Sequence, residues 1–288
     1  MTDSAAPPRA GAPDPLVTPG ASGGNGRLVT AAEGPANTSS RGTRVLGVAS
    51  AVSVVALVAY AFGISKPDTE LGETVRILYL HVPTVSIAYL WLIVNAVASA
   101  VFLFRRGRFA DQLAASTGEV GTILLGLTLV TGMFWGRPTW GTYWEWDDPR
   151  LTSVLLMFLM YLGYNTVRSL SGTFEQRGVR SAVVGVVSAF MIVPVKMSTE
   201  WWSSLHQDRT VFAPGDSKIH GAQEFSLYLG FVAFLLLATW ITVHRFRVGW
   251  LADEAASDDL DLRLAERRAE AADADPASAP ESPKGAPR

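Results

Sequence analysis

Six long apolar stretches, separated by short polar segments, dominate the hydrophobic pattern of the chain. Because about 20 apolar residues in a helix cross the roughly 30 Å hydrocarbon core of a bilayer, the pattern predicts six membrane-spanning helices. The predicted spans are 45–65, 77–104, 120–136, 151–167, 181–195 and 225–244.

The composition agrees with a membrane protein. The chain is 49% hydrophobic and only 17% charged, whereas soluble domains carry roughly 25% charged residues. We therefore expect an all-α polytopic membrane protein whose six spans form one domain, 45–247. Residues 1–44 and 248–288 have too few large apolar side chains to order themselves, so both are interpreted as disordered tails, with a short helix expected near 253–272.

The basic residues of the connecting segments predict the orientation of the spans. Ten Lys and Arg residues flank one side of the predicted membrane and seven flank the other. Because cytoplasmic loops carry the excess of positive charge, both termini are predicted to be cytoplasmic. The segments 66–76, 135–150 and 196–224 are then extracytoplasmic, and a cell-membrane location follows.

Segment 135–150 contains four of the nine tryptophans of the chain, Trp135, Trp140, Trp144 and Trp146. An aromatic belt at headgroup depth needs only one or two such residues per helix end, and it explains isolated tryptophans better than this cluster. If the segment is helical, Trp140 and Trp144 share a face. The segment then presents aromatic planes to a flat apolar ligand.

Two histidines are predicted at the same side of the membrane as this segment. His81 lies at the start of the second span, and His206 lies in the third extracytoplasmic segment. A single histidine at a membrane edge is usually solvated, but neutral imidazole is also a common axial ligand of haem iron. His220 is a weaker alternative ligand, and His244 is interpreted as an interfacial anchor.

A porphyrin needs apolar planes, iron ligands and cations for two propionates. The tryptophans are candidates for the first, and His81 and His206 for the second. Arg76 and Arg150 are candidates for the third, although headgroup phosphate binding explains them equally well. Asp147 and Asp148 precede the fourth span and are expected to cap its helix; Asp147 is alternatively a partner for an arginine or an imidazole N–H.

Two features of the composition exclude other classes of function. The chain has no cysteine, which excludes disulfides, thiolate metal sites and thiol redox chemistry. Its net charge is −2, which argues against a nucleic-acid partner.

The motif WGRPTWGTYWEWDDPRLTS resembles the tryptophan-rich "WWD" signature of a superfamily of haem-handling proteins. The motifs RILYLHVP and WWSSLHQ resemble the histidine motifs of one of its members, the cytochrome c maturation protein C (CcmC) family. The resemblance covers roughly 71–247. The family pattern has one residue between its aspartate and the following arginine, whereas Asp148 and Pro149 both intervene here, which makes Arg150 a less secure match than the histidines.

The resemblance implies a site and a function. It implies that His81 and His206 are the axial ligands of haem, that Arg76 and Arg150 match the two arginines of the family, and that Trp146 and Asp147 form its Trp-Asp pair. Members of the family hold haem b transiently at the outer membrane face and load it onto a haem chaperone (CcmE). They work with an ABC-type transporter (CcmA and CcmB) and a small single-span subunit (CcmD).

Three other functions are weighed against this haem-transfer role, which involves no bond-making enzyme chemistry. A b-type electron-transfer subunit buries its haem between histidines in the middle of the spans, and no histidine lies there in this chain. A haem lyase of the same superfamily is larger and has additional membrane histidines. A secondary transporter is expected to have charged or broken helices at mid-membrane.

Overall fold

The computed structural model describes residue 35 and residues 37–206 and 220–274, and within these ranges the chain is helical, with no β-strand. Residues 1–34 and 36, which make up most of the predicted N-terminal tail, lie outside the described residues. The segment 207–219 lies outside them as well. The helices are α1 (Arg41–Gly63), α2 (Val75–Arg105), α3 (Arg108–Trp140), α4 (Pro149–Ser169), α5 (Phe174–Ala189), α6 (Ile192–Trp201) and α7 (Ala222–Ala274).

The predicted all-α polytopic architecture is confirmed. Five helical stretches are long and apolar enough to cross a membrane: α1, α2, α3, α5 together with α6, and α7. The predicted span 151–167 forms α4, whose 21 residues rise about 31 Å. Its length suffices for a crossing, but Tyr161, Tyr164 and Asn165 make it less apolar than the other five.

The predicted span 181–195 is interrupted. The helix ends at Ala189 and resumes at Ile192, because Pro194 has no N–H to donate to the carbonyl of Phe190. The backbone N–H groups of Phe190, Met191 and Val193 instead donate to carbonyls three residues earlier, which tightens the chain into a short 3₁₀ turn. The break makes α6 a separate helix at the end of this span.

The predicted helix near 253–272 is part of a longer one. Residues 248–274 continue α7 beyond the predicted end of the sixth span. The carboxylate of Asp253 accepts hydrogen bonds from Gln112 in α3 and Arg177 in α5, which holds the extension against the bundle. The remainder of the predicted C-terminal tail, from 275, lies outside the described residues.

Helix α2 lies in the centre of the bundle, where α3, α5 and α7 pack against it. Close approach depends on glycines that face polar side chains of α2. A Cβ at Gly185 of α5 would lie 2.9 Å from both Asn95 Oδ1 and Ser99 Oγ, closer than real Cβ atoms tolerate. Small residues at such contacts are typical of helix packing in membranes, where van der Waals contact replaces the hydrophobic effect between helices.

A buried ionic network ties four helices together at the end of the bundle where α3 begins and α4 ends. Arg168 of α4 donates to both carboxylate oxygens of Asp111 in α3, at 2.8 and 2.7 Å. Arg177 of α5 lies 3.8 Å from Asp111 and 3.1 Å from Asp253 of α7. We call this the basic end of the bundle, because Arg44 at the start of α1 and Arg247 of α7 lie there as well.

We expect Asp111→Asn to destabilise the protein by about 3–5 kcal/mol, the cost of leaving a buried charge without its partner. Asp111 is 2% exposed, and its loss strands the guanidinium of Arg168. Thermal unfolding of the purified protein in a constant detergent measures the effect. Asp259→Asn is the matched control, since it removes only an exposed pair with Arg263 and should cost a few tenths of a kcal/mol; equal losses from both variants would contradict the prediction.

Candidate functional site

A cleft opens at the end of the bundle opposite the basic end, where α2 and α4 begin and where α3 and α6 end. His81, Val85 and Tyr89 of α2 form one wall, and Thr128, Leu129 and Gly132 of α3 form a second. The remaining lining residues are Arg150, Leu151 and Val154 of α4, Lys196 of α6, and His206. The cleft therefore brings both predicted histidines together, although 125 positions separate them in sequence.

The imidazole of His81 is oriented by Thr131 of α3. His81 Nδ1 lies 3.0 Å from Thr131 Oγ1, and that hydroxyl donates its own hydrogen to the carbonyl of Leu127 at 2.8 Å. Because a hydroxyl has one hydrogen, its oxygen accepts from the Nδ1–H of His81. This tautomer places the lone pair on Nε2, the nitrogen left for a metal.

Asp148 holds the segment that carries His206. Its Oδ1 accepts from the backbone N–H groups of Arg150 and Leu151, which makes it the N-cap of α4. Its Oδ2 accepts at 2.7 Å from both Ser204 Oγ and the backbone N–H of Leu205. One carboxylate thus fixes the start of α4 and the residues directly before His206.

The same carboxylate faces the imidazole of His206. Nδ1 of His206 is buried and lies 3.7 Å from Asp148 Oδ1, just beyond hydrogen-bond distance, and it has no hydrogen-bond partner among the residues that the structure describes. Nε2 is therefore the nitrogen on the side away from Asp148. Buried polar atoms usually have a partner, and the carboxylate of Asp148 is the group that faces Nδ1 here.

Electrostatics keep His206 neutral and Asp148 ionised near pH 7. Burial, followed by the positive charge of Arg150, lowers the pKa of His206 from 6.5 to about 4, and the negative charge of Asp148 only partly opposes this shift. Burial acts to raise the pKa of Asp148, but its hydrogen bonds from Leu151, Ser204 and Leu205 outweigh that effect and lower it. Neutral imidazole is the form that ligates a metal.

None of the four tryptophans is among the described residues that line the cleft, and their predicted contact with haem stays a prediction. Trp140 packs its ring against His206, with centroids 4.7 Å apart, and Trp135 packs behind Trp140 at 5.5 Å. Trp144 and Trp146 form a separate pair at 5.6 Å, in which Trp146 is 69% exposed. Among the described residues that line the cleft, apolar contact surface comes from aliphatic side chains of α2, α3 and α4.

The expectation that Trp140 and Trp144 share a helical face is wrong. Trp140 is the last residue of α3, and Gly141 ends that helix in the left-handed conformation with φ 78°. A left-handed residue at this position favours glycine, and it turns the chain away from the helix axis. Segment 141–148 is consequently an irregular loop.

The two candidate arginines occupy different places. Arg150 lines the cleft beside both histidines, despite the extra residue in its motif. Arg76 instead donates to the carbonyls of Ala61 and Phe62, each at 3.1 Å, and pairs with Glu73 at 2.6 Å. These contacts cap the C-terminal end of α1, and they do not bring Arg76 to the cleft. Its role as a propionate partner stays a prediction.

Three site residues were missed or underestimated from sequence. Asp148, rather than the exposed Asp147, is the aspartate engaged with a histidine, and Asp147 lies in a shallow groove beside Trp202. The Asp-Pro pair at the start of a span signals an N-cap, but nothing in it signals the contact with residues 204–206. Thr131 carried no sequence signal, because its role depends on which helix face it shares with His81. Lys196 stands out in the sequence as a charge in an apolar stretch, but its place in the cleft does not follow from that.

The residues present fit an iron porphyrin. Two imidazoles line the cleft from separate elements, aliphatic side chains supply apolar walls, and the lining also includes the cationic side chains of Arg150 and Lys196. The fold and the cleft together define a polytopic membrane protein with two histidines at one cleft, whose lining is partly aliphatic and partly cationic.

The chain belongs to the family described as "Heme exporter protein C", whose family model matches residues 29–260. It is 36% identical over 196 residues to the heme exporter protein C of Bradyrhizobium diazoefficiens, which covers 68% of this chain and 73% of the relative. It is 32% identical over 209 residues to that of Escherichia coli strain K12, covering 70% and 81%. A putative cytochrome c biosynthesis ccmC-like mitochondrial protein of Marchantia polymorpha is 34% identical over 175 residues, covering 60% and 73%.

Proposed function

We propose that the protein binds haem b as a transient cargo in the cleft and delivers it to a haem chaperone during the biogenesis of c-type cytochromes. The observation that carries this proposal is the convergence of His81 and His206 on one cleft, each with Nε2 left for a metal. The names of the relatives, heme exporter protein and cytochrome c biosynthesis protein, support the same cargo and the same process.

The cleft is proposed to face the extracytoplasmic side of the cell membrane. The basic end of the bundle gathers cations from α4, α5 and α7, including Arg168, Arg177, Arg245 and Arg247. Because basic residues are retained in the cytoplasm, that end is assigned to the cytoplasmic side, together with both termini. The cleft lies at the other end of the bundle.

The character of the cleft supports a transfer role rather than bond-making chemistry. Its lining offers ligation, charge and apolar contact, and the segment that carries His206 is a loop, which suits ligation that must be released. Transfer of haem requires an acceptor, and it takes place within an assembly of other proteins. We propose a CcmE-like haem chaperone as receiver and CcmA-like and CcmB-like transporter subunits with a CcmD-like single-span subunit as the assembly in which it works.

Titrating haem into the full chain in nanodiscs tests the proposal. The wild-type protein should give a shifted Soret band that saturates at one haem per chain. The double variant Trp140→Ala, Trp144→Ala should bind roughly fivefold more weakly, because the contact of Trp140 with His206, worth on the order of 1 kcal/mol, is lost.

Trp250→Ala is the matched control for the tryptophan variant. Trp250 lies at the basic end, where its ring packs under Arg108, so its loss should leave the titration unchanged. A wild-type protein that produces no Soret shift, or a control variant that loses as much affinity as the double variant, would contradict the proposed function.

A further inference from the structure

Gly132 of α3 leaves space that the imidazole of His81 occupies. A Cβ at this glycine would lie 3.1 Å from His81 Cε1 and 3.7 Å from His81 Nδ1. Among the described residues outside α3, no other atom lies within 4 Å of that position. At Gly118, by contrast, a Cβ would meet the side chains of both Tyr164 and Asn95, which belong to two other helices. The close approach at Gly132 thus involves one imidazole, rather than the packing of several side chains.

A glycine at position 132 calls for a physical reason, because glycine is less favourable than alanine in the interior of a helix. In membranes the usual reason is close van der Waals packing between helices. Here the neighbour is a polar ring, and both Gly132 and His81 line the cleft. The missing side chain therefore shapes the cleft at the place where one of the two histidines lines it.

Thr131, the residue before Gly132, contacts the adjacent atom of the same ring. His81 Nδ1 lies 3.0 Å from Thr131 Oγ1, and Cε1, which is bonded to Nδ1 in the ring, is the atom that faces Gly132. The hydrogen bond determines which edge of the ring faces α3, because a ring turned over by half a turn would present a carbon to the hydroxyl. The glycine lets that edge approach the helix backbone. Two consecutive residues of α3 therefore fix both the rotation and the depth of the imidazole.

We propose that Gly132 is a positioning residue for the ligation of haem iron by His81, and that it acts together with the hydrogen bond between His81 and Thr131. This inference rests on the proposed function and specifies how one of its two ligands is held. A methyl group at position 132 pushes the imidazole away from α3 by a few tenths of an ångström. Because metal–ligand distances in proteins hold to about 0.2 Å, this displacement weakens either the bond to iron or the hydrogen bond to Thr131.

Comparing Gly132→Ala with Gly126→Ala tests the proposal. Both glycines are partly buried in α3, and a Cβ at Gly126 would also lie 3.1 Å from a ring, that of Phe158, which is not among the described residues that line the cleft. Each variant is titrated with haem as the full chain in nanodiscs and followed by the Soret band. Gly132→Ala should bind haem about tenfold more weakly than wild type, and Gly126→Ala should bind it as wild type does.

Two further measurements separate positioning from a structural role. The g values of low-spin ferric haem depend on the orientation of its axial imidazoles, so the electron paramagnetic resonance spectrum of haem-saturated Gly132→Ala should shift from that of wild type. The spectrum of Gly126→Ala should not shift. Thermal unfolding of the haem-free proteins should not separate the two variants, because the group displaced at either position is a side-chain ring rather than backbone.

Substitutions of Thr131 test the second contact. Thr131→Val keeps the shape of the side chain but removes the acceptor, and it should weaken haem binding by about 10–100-fold. Thr131→Ser keeps the hydroxyl and should retain most of the wild-type affinity. Thr117→Val is the matched control, since the hydroxyl of Thr117 donates to carbonyls of its own helix, and it should leave the titration unchanged.

Wild-type affinity and unshifted g values in Gly132→Ala would overturn the inference and leave the proposed function standing. An equal loss of affinity in Gly126→Ala, or a lower unfolding temperature in Gly132→Ala than in that control, would overturn it in favour of helix packing. If the wild-type protein gives no Soret shift with haem, the proposed function fails and the inference fails with it, so the two failures are distinguishable.

Discussion

Replacing either His81 or His206 by alanine is expected to abolish the production of c-type cytochromes in cells that depend on this protein. Under the proposed function, each substitution removes one of the two iron ligands that the cleft offers and leaves the other imidazole to hold the metal alone. Loss of a direct ligand should exceed the roughly 10–100-fold loss of affinity typical for a residue that only orients a ligand. Haem affinity of the purified variants should fall accordingly, without a change in helix content.

His244→Ala is the matched control for these variants. His244 lies in α7, where its ring packs edge-on against Trp240 at 5.2 Å, and it is absent from the cleft lining. Cytochrome staining of membranes from complemented cells measures the outcome, with immunoblots to equalise the amount of protein. Normal cytochrome levels in both cleft variants would remove the basis of the proposed function.

The second large effect is expected at Asp148. Asp148→Asn keeps the size of the side chain but replaces one acceptor oxygen with a donor group, which opposes the N–H and O–H donors that converge on the carboxylate. We expect the segment 204–206 to loosen, haem affinity to fall by about 10–100-fold, and stability to fall by about 1 kcal/mol through the damaged N-cap.

Asp147→Asn provides the comparison, because it makes the same chemical change one residue away, on an exposed side chain. It should leave haem binding and stability within error of wild type. A positioning role also predicts that the haem retained by Asp148→Asn is partly five-coordinate, which a purely structural loss would not produce. Loss of haem binding in Asp147→Asn with retention in Asp148→Asn would reverse the assignment of the two aspartates.

The positions of the spans followed well from the sequence, because hydropathy over about 20 residues reports directly on the cost of placing a helix in a bilayer. The predicted spans 45–65, 77–104 and 225–244 fall almost wholly inside α1, α2 and α7. The break between α5 and α6 was not predicted. It depends on one missing N–H at Pro194, which hydropathy does not register.

The histidine pair also followed from the sequence, whereas its surroundings did not. Placing His81 and His206 at one side of the membrane required only the order of the spans. The roles of Thr131, Asp148 and Lys196 depend on the rotation of each helix about its axis and on contacts across the bundle. Arg76, a candidate partner for a haem carboxylate, caps α1 in the structure, and its predicted role stays a prediction.

The spectrum of the haem-loaded protein tests the central claim most directly, namely that one cleft ligates haem iron through both histidines. Electron paramagnetic resonance and resonance Raman spectra should be recorded on the full chain and on His81→Ala and His206→Ala. Wild type should hold six-coordinate, low-spin iron with two imidazole ligands, and each variant should become largely five-coordinate and high-spin. A low-spin wild-type spectrum that persists unchanged in both variants would show that the iron is bound elsewhere.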